Sequence, residues 1–185
     1  MEEKESLVQL IMQKILVDLI TAIFLIVTGS VVLALPIMEV INVKIVFIII
    51  LALYGIMNLI QFILTYKEKD YEGLFTTIAS IITIIVACFM DFKTSPLNLA
   101  MTVFVWISFM SLIKLKKIDY YHDRKKKIWL LRMITLILFI LGGLLAVINL
   151  YYEGQIQILT LGFFFFIHGI LELVDPITNY LLEKR

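Results

Sequence analysis

"LITAIFLIVTGSVV" (19–32) and "MITLILFILGGLLA" (133–146) are two uncharged, strongly apolar stretches of one chain. Superposed, they match at Ile20, Thr21, Ile23, Ile26 and Gly29, each of which meets an identical residue 114 positions later. The same offset carries Gly55 onto Gly169 and Leu59 onto Leu173, so one register aligns two whole segments of about fifty residues. Self-similarity at a fixed spacing marks a repeat architecture. The apolar character of the repeated unit says in which solvent it folds.

Hydrophobic residues make up 62% of the 185 residues and the mean hydropathy is +1.02. Soluble domains ordinarily hold about 45–50% apolar residues, so the chain reads as an integral membrane protein. Apolar runs fall at roughly 15–35, 45–65, 73–91, 97–113, 128–150 and 156–175, each near the ~20 residues a helix needs to cross ~30 Å of hydrocarbon. No stretch alternates apolar and polar residues as the strands of a membrane barrel must. The expected fold is all-α, with six transmembrane helices arranged as three parallel-repeat hairpins in a single membrane domain. Repeat one covers about 15–65, repeat two about 73–113 and repeat three about 128–175.

The middle hairpin aligns at an offset of 53, which places Ser108 on the Gly55 position; the next step is 61. The eight additional residues fit a longer basic loop, 114–127. Each unit has two spans and ends on the side where it began, so the copies run parallel about an axis along the membrane normal. Ala22 and Gly29 lie seven residues apart, as do Gly162 and Gly169, while Gly142 and Ala146 lie four apart. Small residues so spaced share a helix face and let backbones approach. Gly29, Gly55, Gly142, Gly143, Gly162 and Gly169 are therefore expected at helix contacts, and the lone Cys88 is expected to pack in the interior.

Seven basic residues stand in "KLKKIDYYHDRKKK" (114–127), with Lys67 and Lys69 in the other loop on that side and Lys4, Lys14, Lys184 and Arg185 near the termini. Only Lys44 and Lys93 stand on the opposite side. Lys and Arg in short loops are held in the cytoplasm, so both termini and both basic loops are expected there. The acidic start and the long apolar run behind it do not resemble a cleaved signal peptide.

Three glycine-marked hairpins, with a proline at the outer end of the first helix ("VTGSVVLALP", 27–36) and a small-Gly-Ile element late in the second ("YGIMNLI"; "HGILELV"), resemble the HdeD family of acid-resistance membrane proteins. The resemblance covers essentially the whole chain and rests on the repetition of short motifs in order. It implies a cytoplasmic-membrane protein of a prokaryote with a part in acid or stress tolerance. It brings no catalytic residues with it. The third copy departs from the pattern with Asn149 and Leu150 in place of the proline, and the middle copy has Ile82 where the glycine would stand.

Within the spans, the repeat register puts Asn58, Ser111 and Glu172 at one position of their hairpins, with Gln61, Lys114 and Asp175 three residues further on. His168 precedes Glu172 by one helical turn, close enough to interact. If the even-numbered helices face one another, Asn58, Ser111, His168 and Glu172 form a polar cluster near the cytoplasmic end. A carboxylate in apolar surroundings is a candidate proton-responsive group; ordinary interhelical hydrogen bonding is the competing reading. Asp18 and Arg132, at equivalent positions of spans one and five, are a candidate ion pair. The basic loop 114–127 is a topology determinant that also suits anionic lipid. The lipid bilayer is the expected partner, nucleic acid is not, and a homo-oligomer is possible. No metal-ligand spacing, cofactor motif or catalytic constellation is visible, so the expectation is a membrane protein rather than an enzyme. A small transporter or channel is the alternative.

Overall fold

The computed structural model describes residues 2–34, 42–66, 71–92, 95–123, 128–151 and 155–183. They form α1 (Glu2–Ala34), α2 (Val43–Thr65), α3 (Glu72–Phe89), α4 (Pro96–Asp123), α5 (Ile128–Leu150), α6 (Gln155–Glu172) and α7 (Val174–Glu183). Among the described residues, six stretches are long and apolar enough to cross a bilayer, from Ile15–Ala34 to Ile156–Thr178. Between 28% and 39% of the residues in these stretches are buried within the protein. The remainder, including Ile23, Val27, Ile49, Ile85, Leu141 and Phe163, face outward as apolar side chains. A surface so apolar is stable only against hydrocarbon, and the protein is a multi-pass, all-α membrane protein.

The spans run up and down in chain order. Each packs against its neighbours in sequence, and α6 closes the ring by packing on α1. The tightest of these contacts is the last, and glycine makes it possible. A Cβ at Gly29 would lie 2.4 Å from the Phe166 backbone nitrogen, one at Gly169 2.7 Å from the Ile26 nitrogen, and one at Gly162 2.9 Å from the Leu33 nitrogen. These separations leave no room for a side chain, so α1 and α6 touch backbone to backbone. Gly73 does the same for α3 against Asn58 and Phe62 of α2. Gly55 faces Ser80 of α3 and Gly143 faces Ile107 of α4. Gly142 is the correction: nothing lies within 4 Å of a Cβ built there.

Three further expectations change. Residues 114–123 are not loop but the last ten residues of α4, while 124–127 lie outside the described residues. Lys67, Lys69, Lys93, Lys184 and Arg185 also lie outside them. Cys88 is exposed on the outer face of α3. The sixth span breaks after Glu172, because Pro176 has no N–H to donate and its ring crowds the carbonyl four residues back. Leu173 N–H is left between the carbonyls of Gly169 and Ile170, at 3.2 Å from each, and α7 restarts with Pro176 in its first turn, where proline is tolerated.

One end of the bundle carries most of the described charged residues. At the other, Lys44 Nζ donates to the carbonyls of Cys88 (3.0 Å) and Met90 (2.8 Å), which closes the C-terminus of α3. Between the ends, Phe47, Trp106, Phe139 and Phe165 fill the interior and are almost completely buried.

The glycine contacts make a differential prediction. Gly29→Ala should lower stability by about 1–3 kcal/mol, because the added methyl meets backbone that cannot yield. Gly142→Ala should leave stability unchanged or raise it by about 1 kcal/mol through helix propensity alone. Unfolding midpoints of the two variants in the same detergent check this, and equal effects would contradict the assigned contacts.

Candidate functional site

Charged side chains inside a membrane protein persist only where opposite charges meet them. At the charged end, α4 presents Lys114 and Lys117, three residues apart and so on one helix face. The junction of α6 and α7 presents Glu172 and Asp175 with the same spacing. Lys114 Nζ donates to Glu172 Oε1 at 2.5 Å, and Lys117 Nζ donates to Asp175 Oδ2 at 2.6 Å. Lys117 is also paired with Glu72 Oε2 at 2.5 Å, and Arg132 Nε lies 3.4 Å from Asp175 Oδ1. Lys114 Nζ additionally stands over the Phe139 ring, 5.5 Å from its centroid. The neighbours of α4 in the ring are α3 and α5, so the two lysines reach the α6–α7 junction across the interior. They form a two-rung ladder that ties α4 to the α6–α7 junction past α5.

The ladder separates two small hollows. On one side a cavity is bounded by the carboxylates of Asp18, Glu72, Glu172 and Asp175 and by both lysines. Its remaining polar wall is Thr21, Asn58, Gln61 and Thr76, and Tyr54 and Met110 line it as well. In this conformation the space fits little more than a water molecule. The second hollow shares the four ladder residues and adds Arg132, Thr135, Phe139 and Leu171.

Next to the ladder lies an aromatic layer. His168 is fully buried, with ring centroids of Phe139 at 4.8 Å, Trp106 at 5.5 Å, Tyr54 at 5.8 Å and Phe164 at 6.2 Å. Neither of its ring nitrogens makes a hydrogen bond, and Nε2 stands 3.5 Å from Glu172 Oε1, the same oxygen that Lys114 holds. The indole nitrogen of Trp106 also has no hydrogen-bond acceptor. Tyr54, Trp106 and His168 come from α2, α4 and α6, so the even-numbered helices do meet in the interior.

The residues singled out in the sequence are only partly brought together. Asn58, His168 and Glu172 lie in or beside the cavity. Asn58 spends its amide on the Tyr54 carbonyl (2.9 Å), and Ser111 donates to the Ile107 carbonyl of its own helix (2.7 Å) rather than lining the cavity. The residue of α4 that meets Glu172 is Lys114, three positions and about 4.5 Å of helix rise beyond Ser111. Arg132 is found on Asp175, and Asp18 stands on the cavity wall with Lys117 and Asp175. Sequence alone does not place Lys114 and Lys117 against Glu172, Asp175 and Glu72, nor Trp106 beside His168. For the two lysines the available signal is the matched spacing of Lys-x-x-Lys and Glu-x-x-Asp, which an expected loop at 114–127 obscures. Among the described residues, no group of three or more His, Cys, Asp or Glu side chains could hold a metal ion.

Comparison with protein-family models, with curated proteins and with solved structures finds no match to this chain.

Removing one partner of an enclosed ion pair strands the other, whereas replacing both with apolar groups can be nearly neutral. Lys114→Met is therefore expected to cost about 3 kcal/mol, and Lys114→Met combined with Glu172→Met to recover most of that loss. Denaturation of the two variants in one detergent would expose an error here if the costs simply added.

Proposed function

We propose that the protein is a non-enzymatic, acid-responsive component of a prokaryotic cytoplasmic membrane that contributes to acid tolerance, in the manner of the HdeD proteins it resembles. The observation that carries this reading is the ladder of Lys114 and Lys117 with Glu172 and Asp175. Lysine–carboxylate pairs that close one end of a bundle are contacts whose strength depends on the balance of charge there, which supports a response to acid. Mutual repulsion of unmatched charge is a general cause of acid-induced opening. The excess of basic residues at this end supports a cytoplasmic placement of the ladder and both termini. Lys116, exposed on α4, favours contact with anionic lipid there.

We also infer that the hairpins are arranged about a pseudo-threefold axis, as the family resemblance implies. Gly29 and Gly143, equivalent in the repeat, both face the even-numbered helix of a neighbouring hairpin, α6 and α4 respectively. Gly55 and Gly169, also equivalent, both face the odd-numbered helix of the next hairpin, α3 and α1.

A deletion strain complemented with wild type, Glu172→Gln or the Lys114→Met/Glu172→Met double variant tests the function. Survival of acid challenge should fall on deletion, return with wild type, and fail to return with either variant at equal membrane abundance. Undiminished survival of the deletion strain would overturn the acid-tolerance reading.

A further inference from the structure

Glu172 Oε1 has two claimants, and only one of them holds it. The Lys114 ammonium donates to it at 2.5 Å, while His168 Nε2 stands 3.5 Å away with no proton directed at it in a hydrogen bond. We propose that His168 and Glu172 form a proton-binding site in which one proton, taken from water through the adjoining cavity, competes with Lys114 for that oxygen.

The chemistry is a single proton transfer. In the form described here, imidazole is neutral, Glu172 is ionised and Lys114 is its cation. An added proton lodges between Nε2 and Oε1 and draws them from 3.5 Å to hydrogen-bond distance, about 2.7–2.9 Å for a charge-assisted pair. The Lys114–Glu172 bond breaks in exchange, and the ammonium turns toward the cavity, where Asp18, Glu72 and Asp175 stand. No electron moves and no second reactant is required.

The surroundings of His168 fit a group that is neutral in one state and cationic in the other. Four aromatic rings enclose it without donating or accepting a hydrogen bond, so neither tautomer of the neutral ring is locked. A ring face within about 6 Å attracts a cation, and Phe139, Trp106, Tyr54 and Phe164 surround the imidazole at about that distance. A histidine meant only to pack would be expected to satisfy at least one nitrogen, because an unpaired buried donor is costly. The charged and titratable groups facing Glu172 come from every helix around it: Asp18 on α1, Tyr54 on α2, Glu72 on α3, Lys114 and Lys117 on α4, Arg132 on α5 and Asp175 on α7. Of these, Lys114 is bonded to the oxygen that His168 approaches.

The site deepens the acid-response reading and rests on it for biological meaning, but its test is independent of survival. The chain has two tryptophans. Trp106 lies against His168, whereas Trp129 lies against His122 at 5.0 Å, so Trp129→Phe isolates the relevant signal. In lipid nanodiscs, Trp106 emission of Trp129→Phe protein should be quenched reversibly as pH falls from 8 to 4, because imidazolium quenches indole. His168→Gln should abolish the quenching. Glu172→Gln, which removes the counter-charge, should move the transition about one pH unit lower, and Lys114→Met, which removes the competitor, about one unit higher. His168→Gln must keep the wild-type elution profile; should it not, the opposed shifts of the Glu172 and Lys114 variants decide the question alone. Emission that does not change with pH, or a transition that persists without His168, overturns the proposal. A titration as described in a protein dispensable for acid survival would keep the site and remove its proposed role. Survival that depends on the protein, without the titration, would do the reverse.

Discussion

The cost of holding charge in a low-dielectric interior is the constraint on which the charged end of this molecule depends. Lys117 satisfies it by serving two carboxylates, Glu72 of α3 and Asp175 of α7, while Asp175 serves two cations, Lys117 and Arg132. Chained in this way, the pairs link α3, α4, α5 and α7 at one level of the bilayer. Because a stranded charge is far more expensive than a lost contact, these four helices cannot slide along one another independently. Their axial register is therefore fixed by charge.

Lateral separation has a different cause. Helices in lipid gain nothing from hiding apolar surface from one another, so close approach rests on van der Waals contact through small residues. The α1–α6 seam shows this at Gly29, Gly162 and Gly169, spread over about two turns of α6. Closure of the ring depends on that seam, since α1 and α6 are the first and last spans. A six-helix array lacking it would have an open side, and the polar cavity wall would meet hydrocarbon.

Much of this was legible in the sequence. The six spans follow from length and hydropathy, and Gly29, Gly55, Gly143, Gly162 and Gly169 follow from spacing and repetition, whereas the contact at Gly73, outside the repeat signature, does not. Gly142 misled because its neighbour Gly143 takes the contact, and adjacent helix positions point about 100° apart. The site was less legible for a physical reason. A run of lysines at a span end has the same composition whether it snorkels to headgroups or turns inward, and only the location of partners distinguishes the two. For Lys114 and Lys117 the partners lie 58 residues away. Ser111 bonds the Ile107 carbonyl of its own helix while Lys114, three residues on, meets Glu172, a difference that the weak identity of the middle copy does not resolve.

The two kinds of adhesion divide the bundle along its length. Glycine contacts between α1 and α6 extend to Gly169, one residue beyond His168, and there the backbones still touch Ala22 and Ile26. Three residues later, at Glu172, α6 ends and ion pairs take over. Backbone contacts of the first kind are insensitive to pH and can yield only by displacing whole helices. Pairs of the second kind exist or vanish with a proton. The change from one kind of contact to the other coincides with the change from α6 to α7, where the Leu173 N–H is shared between the carbonyls of Gly169 and Ile170.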